Sequence, residues 1–420
     1  MGSLANASVT TLAAPSEPGA AQDSVLRYLG FHAEYLTVFT RTQHFLMRGD
    51  GPLAFDMRYY VAIMAAGRHR CDWLVDQLKE EFLANGGEPR WLDGLQHVPK
   101  KLADLNEVNK IMAHRPWLLN KSHIERLAKG RDNWSLGELL QALTVLAHYH
   151  AVCSFVRGCH ALGVDQPDST EPSDASTPSG AKEPQQCAGS PSDGAPVQQL
   201  MQKMRTLSEQ QLRAADQLTV EEKNEIYAAV DSGAVEAEQP SQQPAPDQLA
   251  RFVEDAEFAY EDFSRRGEPH TVSTFRVQDY NWEDHGFSLV NRLYSDVGVL
   301  LDDKFRIAFH LTYQTMGSFR SVDTRLFRRA VWRYIQCLYG IRHDDYDYAV
   351  VNQLLDRRLK SFVKTACVYP ERLEPSNERL KHVMEGFQRS EKVHVAILCL
   401  EARLQSELLY ALRAVMRYTT

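Results

Sequence analysis

The sequence predicts an all-α protein made of two related helical bundles joined by a largely disordered linker. Three observations predict it. Apolar residues recur at three- and four-residue steps in both halves, while strand alternation is scarce. After Gly163 the chain turns dense in Pro, Ser, Asp, Gly and Gln, with few large apolar side chains, and cannot bury enough surface to fold. Residues 65–73 also have a faint counterpart in 339–346. Each lies between two helical patterns and is followed later by a capped apolar helix.

Taken in order, residues 1–23 are rich in Ala, Ser, Thr and Pro and read as a disordered tail; without a basic start and apolar core they are no secretory signal. The first bundle spans 24–163. Residues 58–71 are apolar on most faces, as a buried helix would be, and Leu74, Val75, Leu78, Phe82 and Leu83 continue the spacing. Gly86 and Gly87 supply a stop. Ser135 and Glu138 match a capping box ahead of a long apolar helix over 139–156. The linker spans 164–249, with one amphipathic helix expected near 200–218. In the second bundle, 250–420, Asp323 or Thr324 can cap a helix through Ile335 that Gly340 interrupts. Residues 350–365 read as one further helix, and Ser390 as the cap of the last.

At 420 residues the chain exceeds a single core. Hydrophobic content of 44% can offset the entropy of ordering most of it. A net charge of -8 argues against a basic nucleic-acid surface, so no direct nucleic-acid partner is expected. No apolar run is read as long enough to cross a bilayer, so no membrane insertion is expected. Seven scattered cysteines, an odd number, fit reduced thiols in the cytoplasm or the nucleus better than a disulfide framework.

Candidate chemistry falls in four places. Cys71 precedes a helix beside Arg68, His69 and Arg70, a setting that favours thiolate. Its neighbours three and seven residues on are Leu74 and Leu78, which leave it without a resolving thiol or proton shuttle on its own helix; an ordinary packed cysteine is the alternative. His148, His150, Cys153, Cys159 and His160 have no common zinc spacing, and neither a metal nor a cofactor is expected. Thr312, Tyr313 and Thr315 offer hydroxyls in one loop. Thr324 stands at a helix start, Arg328 one turn later, and Glu391 opens the last helix. Together these could hold the carboxylate and the ammonium of a free amino acid, or they could be helix caps and an ion pair. Asp344, Asp345 and Tyr346 form an acidic aromatic turn, suited either to docking or to solvent.

The stretches RYYVAIMAAGRHRC (58–71), NWSLGELLQAL (133–143), FVEDAEFAYEDF (252–263), DYNWEDHGFSL (279–289), GIRHDDYDY (340–348) and EARLQSELLYALRAVMRYTT (401–420) resemble the sestrins, stress-induced regulators of TOR complex 1. The resemblance implies two pseudo-symmetric bundles of the alkylhydroperoxidase (AhpD) type. It implies a leucine pocket at Thr312, Tyr313, Thr315 and Thr324, with Arg328 toward the ligand carboxylate, Glu391 toward its amine and His32 near the lid. It implies that the Asp344–Asp345–Tyr346 turn binds the GATOR subcomplex that activates TOR complex 1, and that leucine releases it. Met384 stands where vertebrate members place a lid tryptophan, which predicts weaker leucine binding. Trp73 and Leu78 stand where the family has the Tyr and His that accompany its redox cysteine, matched by Cys71. A leucine-responsive negative regulator of TOR signalling is therefore expected, with a cysteine-dependent alkyl hydroperoxide reductase as the alternative.

Overall fold

The computed structural model describes residues 20–129, 133–165, 195–211, 219–232, 248–265, 274–311, 314–373, 380 and 382–420. It is all-α. The helices are α1 (Ala20–Leu29), α2 (Ala33–Arg48), α3 (Phe55–Arg68), α4 (Asp72–Ala84), α5 (Lys100–Asp104), α6 (Asn106–His114), α7 (Lys121–Ala128), α8 (Leu136–Ala161), α9 (Ala195–Gln211), α10 (Val220–Ser232), α11 (Phe287–Leu293), α12 (Val297–His310), α13 (Arg325–Leu338), α14 (Ala349–Leu354), α15 (Arg357–Val368) and α16 (Arg389–Thr419). Two-residue strands complete it: β1 (Phe275–Arg276) pairs in parallel with β4 (Ile341–Arg342), and β2 (Thr315–Met316) pairs antiparallel with β3 (Phe319–Arg320).

The core is organised around α8 and α16, which lie against each other through the middle of the molecule. The two halves interlock there: α2 packs on α12, α15 on α8 and α7 on α16. Buried apolar residues from Val25 to Val415 consequently form one continuous cluster. α8 is long and apolar enough to span a bilayer by length and composition, contrary to the expectation, and its apolar stretch is wholly buried in protein. Its start is fixed as predicted: Ser135 Oγ accepts from Glu138 N–H at 3.3 Å, and Glu138 accepts from Ser135 N–H at 2.8 Å.

α4 buries Leu74, Val75, Leu78 and Phe82, but Leu83 turns outward, 45% exposed. Gly86, at φ +84°, follows its end. Gly340, at φ +72°, ends α13; a Cβ there would stand 2.3 Å from the Phe263 ring. The single helix expected over 350–365 is two. Asp356 accepts from Leu359 N–H at 2.8 Å and so starts α15 afresh. The last helix is capped by Gln388 rather than Ser390, in a box with Glu391. The linker segment holds more structure than its composition suggests. α9 covers much of the predicted 200–218 helix but begins earlier, and residues 212–218 lie outside the described residues. α10 was not foreseen. Both helices pack on α13 and α14, burying Val197, Met204, Leu207, Tyr227 and Val230.

Candidate functional site

The β2–β3 hairpin, the first turns of α13 and α16 and the turn at 382–387 enclose a small cavity. Thr315, Met316, Thr324, Phe327, Arg328, Met384, Phe387, Glu391, His394, Val395 and Leu398 line it, around a space of about 30 Å³. Thr315, Thr324, Arg328, Met384 and Glu391, named from the sequence, thus meet at one place. Thr312 and Tyr313 lie outside the described residues. The apolar wall was not named from the sequence. Its signal was there: Glu391, His394, Val395 and Leu398 recur at three- and four-residue steps along one helix face, one turn after Phe387.

The cavity separates positive from negative charge. Arg328 is 4% exposed. Its Nη1 donates to the Leu311 carbonyl at 2.5 Å, its buried Nε has no acceptor among the described residues, and burial lowers its pKa. No carboxylate of the described residues lies within ion-pair range of it. Glu391, 8% exposed, accepts from Thr315 Oγ1 at 2.9 Å, from Gly317 N–H at 2.9 and 3.1 Å and from Gln388 N–H at 2.9 Å. The carboxylate is therefore both a helix cap and a fixed negative group on the wall. Gly317, at φ +61°, makes this approach feasible, because a Cβ there would stand 2.4 Å from the Gly386 carbonyl oxygen. Thr324 stands at the N-cap of α13, but Asp323 supplies the anion there, accepting from Arg325 N–H at 3.0 Å. The helix start is thus less open to a ligand carboxylate than the sequence suggests, and Arg328 is the stronger anchor.

His32 lies behind the cavity. Its Nε2 sits 2.9 Å from the Ser390 carbonyl and its ring 5.7 Å from that of His394. Burial lowers His32 to about 4 and His394 to about 3, so both are neutral at physiological pH. Met384 is buried at φ +56°, a left-handed conformation that side chains other than glycine rarely adopt.

The acidic turn is only partly open. Asp345 is exposed, 3.9 Å from Arg329. Asp344 pairs with Arg276 at 2.6 Å and Arg342 at 3.1 Å. Tyr346, expected at the surface, is buried. The Arg329 and Arg333 guanidiniums lie 5.2 and 5.9 Å from its ring centre, and Tyr348 meets it edge-on.

Cys71 precedes α4 as expected but is wholly buried. Cys153 of α8 lies close to its thiol, a neighbour no local spacing could reveal. That proximity, with Arg157 nearby, lowers the Cys71 pKa, while burial raises Cys153. The histidines once weighed as a metal set go elsewhere. His150 bridges Glu407 at 2.7 Å and Asn109 at 2.8 Å, His148 lies against Phe39, and His160 is exposed.

Comparison with known proteins gives one picture. Residues 7–419 match the family model described as PA26 p53-induced protein (sestrin). The chain is 46% identical to human Sestrin-2, over 95% of this chain and 84% of that protein. It is 43% identical to the Drosophila melanogaster Sestrin homolog, over 95% and 93%, and 44% identical to mouse Sestrin-3, over 95% and 85%.

Proposed function

The chain belongs to the sestrin family, and from that premise we propose that it is a leucine-responsive negative regulator of TOR complex 1 signalling. Leucine-free protein binds the GATOR subcomplex that activates the pathway, and leucine releases it. The protein acts in the cytoplasm.

The observation that carries the reading is a separated charge pair, Arg328 and Glu391, on the wall of one apolar cavity. A free amino acid presents the complementary charges at one end and an aliphatic side chain at the other. A buried zwitterion is costly unless both ends are matched, which selects against peptides and simple acids. An aliphatic wall favours leucine over smaller side chains by about 1–3 kcal/mol per methylene. A space of about 30 Å³ holds little more than a water. Leucine entry therefore requires the turn bearing Met384 and Phe387 to move. That requirement gives the two states through which a ligand can shift a partner equilibrium. α13 offers the physical link: Arg328 faces the cavity, and the next residue, Arg329, holds Asp345 and Tyr346.

Calorimetric titration with leucine tests the sensor, with Arg328→Ala as the control. Heat from the intact protein and none from the variant is expected; no heat from either would leave a nutrient-insensitive binder. Capture of the GATOR subcomplex, lost on adding leucine and lost in Asp344→Ala/Asp345→Ala, tests the partner surface.

The Cys71–Cys153 contact favours a second reading, cysteine-dependent reduction of alkyl hydroperoxides. The Cys71 thiolate would take the terminal oxygen and expel an alkoxide, and Cys153 would condense with the sulfenic acid, releasing water. Equal turnover in Cys71→Ser and the intact protein removes it.

A further inference from the structure

A second cavity, of about 460 Å³, opens between α12, α13 and the π-helical turn Trp282–Gly286. It falls in the size range of small-molecule sites, unlike the tight space at Arg328. Arg328 and Arg333 are five residues apart on α13, about 140° around the helix, so the two cavities lie on different faces of it.

Two edge-on aromatic pairs form the apolar walls. Phe309 meets Trp332 at 5.7 Å between ring centres, and Trp282 meets Phe305 at 5.0 Å. Arg333 closes one side. Its Nη1 donates to Gln336 Oε1 at 2.8 Å and to His343 Nε2. His343 is neutral, since burial lowers it to about 2. The Nε is buried without an acceptor among the described residues. No described carboxylate reaches within ion-pair distance of Arg333; Asp345 acts on it only from further away. The guanidinium is thus a mostly buried positive charge whose hydrogen-bonded neighbours are neutral, which is costly unless an anion joins it.

The other charges limit that anion. Glu283 and Asp302 also line the cavity, and Asp302 already accepts from Trp282 Nε1 at 3.0 Å. Arg306 is offset by Asp303 at 2.9 Å. The single uncompensated cation can match at most one negative charge, and the two carboxylates disfavour a polyphosphate. Aromatic walls suit a flat ring.

We propose that this cavity is a second ligand site, for a small aromatic monocarboxylate whose carboxylate is held by Arg333 and whose ring packs against Phe309 and Trp332. The proposal does not rest on leucine binding at Arg328.

The test is titration of the full chain with naphthoate, followed by tryptophan fluorescence and calorimetry. Expected are saturable binding that excess leucine does not displace, and affinity about 10-fold or more weaker in Arg333→Gln. Naphthalene methanol, the neutral analogue, probes the same contact without a mutation and should bind about 10-fold or more weaker than naphthoate to the intact protein. Absence of saturable naphthoate binding, equal affinity for acid and alcohol, or displacement by leucine would each overturn the proposal. A loss of leucine heat with naphthoate binding intact would count against the nutrient-sensing reading alone.

Discussion

Two arginine–glutamate sets depend on α16, and they are built differently. Near its middle, Arg403 donates to Glu407 at 2.7 Å, to Ser154 at 2.7 Å and to the Ala113 carbonyl at 3.3 Å, and it meets His69 at 2.6 Å. Glu407 also holds His150 at 2.7 Å. Every residue in this set is fully buried or nearly so. At the start of α16, Glu391 shares a cavity with Arg328, but the two form no ion pair. The first set is closed: each charge is satisfied by its own chain, and it ties α16 to α6 and α8. The second is open, with a buried guanidinium whose Nε lacks an acceptor among the described residues. The contrast separates buried charge that holds a fold together from buried charge that awaits a partner.

The largest effect expected is therefore at the closed set. Arg403→Ala leaves Glu407 buried without its cation and should destabilise the protein by about 3–5 kcal/mol, read by urea denaturation. Arg403→Met with Glu407→Leu removes both charges and should lose clearly less. If the double variant is as unstable as the single, Arg403 acts through packing and the contrast with Arg328 weakens.

At the open set the cost moves from stability to binding. Arg328→Ala should change stability by less than about 1 kcal/mol, since it removes a charge that no described carboxylate pairs. It should weaken leucine binding by about 1.5–3 kcal/mol, the range for a charged hydrogen bond, roughly 10- to 150-fold by calorimetry. A large stability loss with affinity unchanged would place Arg328 in the closed class.

The same contrast explains what the sequence could tell. The open set was only half legible: Arg328 one turn into α13 and Glu391 in the first turn of α16 read equally as a cap and an ion pair, and the resemblance to the sestrins is what pointed to a pocket. The closed set was not, because Arg403, Ser154 and His150 meet only after α8 and α16 pair, and no local spacing encodes that. Cys153 was hidden from Cys71 for the same reason. Among the elements, the α8 capping box was readable because Ser135 and Glu138 satisfy each other locally. The break at Asp356 was missed because apolar spacing runs straight through it. The cap at Gln388 was missed because glutamine is a weak capping type and Ser390 a strong one. α10 was missed because Ile226, Tyr227 and Val230 form a narrow stripe in an acidic stretch. Tyr346 was misplaced because the arginines that cover it come from the helix before the turn.

Acid acts on both sets. His32 and His394 titrate near 6.5 when unfolded but are held to about 4 and about 3 in the folded chain. The unfolded state binds their protons first, so stability is full above the unfolded value and falls as pH drops below it. By about pH 5 each contributes a loss of roughly 2 kcal/mol. Burial also pushes His69, His114 and His148 well down, which adds to the slope. Urea denaturation near pH 7 and near pH 5 should show the loss, and His32→Gln should reduce it by about 2 kcal/mol. An unchanged slope would mean that His32 protonates without disturbing its contact with Ser390.

The smallest effect tests whether Glu391 can serve two roles at once. Gln388 caps α16, and its Nε2 also donates to the Gly317 carbonyl at 2.8 Å. Gln388→Ala removes these side-chain bonds but leaves the backbone N–H that Glu391 accepts, as well as the contacts from Thr315 and Gly317. A lost cap costs about 1 kcal/mol, visible as a small shift in the denaturation midpoint. Leucine affinity should then stay within about threefold of the intact protein, because the carboxylate keeps all three donors named above and its position. If Gln388→Ala weakens leucine binding as much as Arg328→Ala does, the cap and the cavity are one device, and the negative end of the site belongs to the fold as much as Glu407 does.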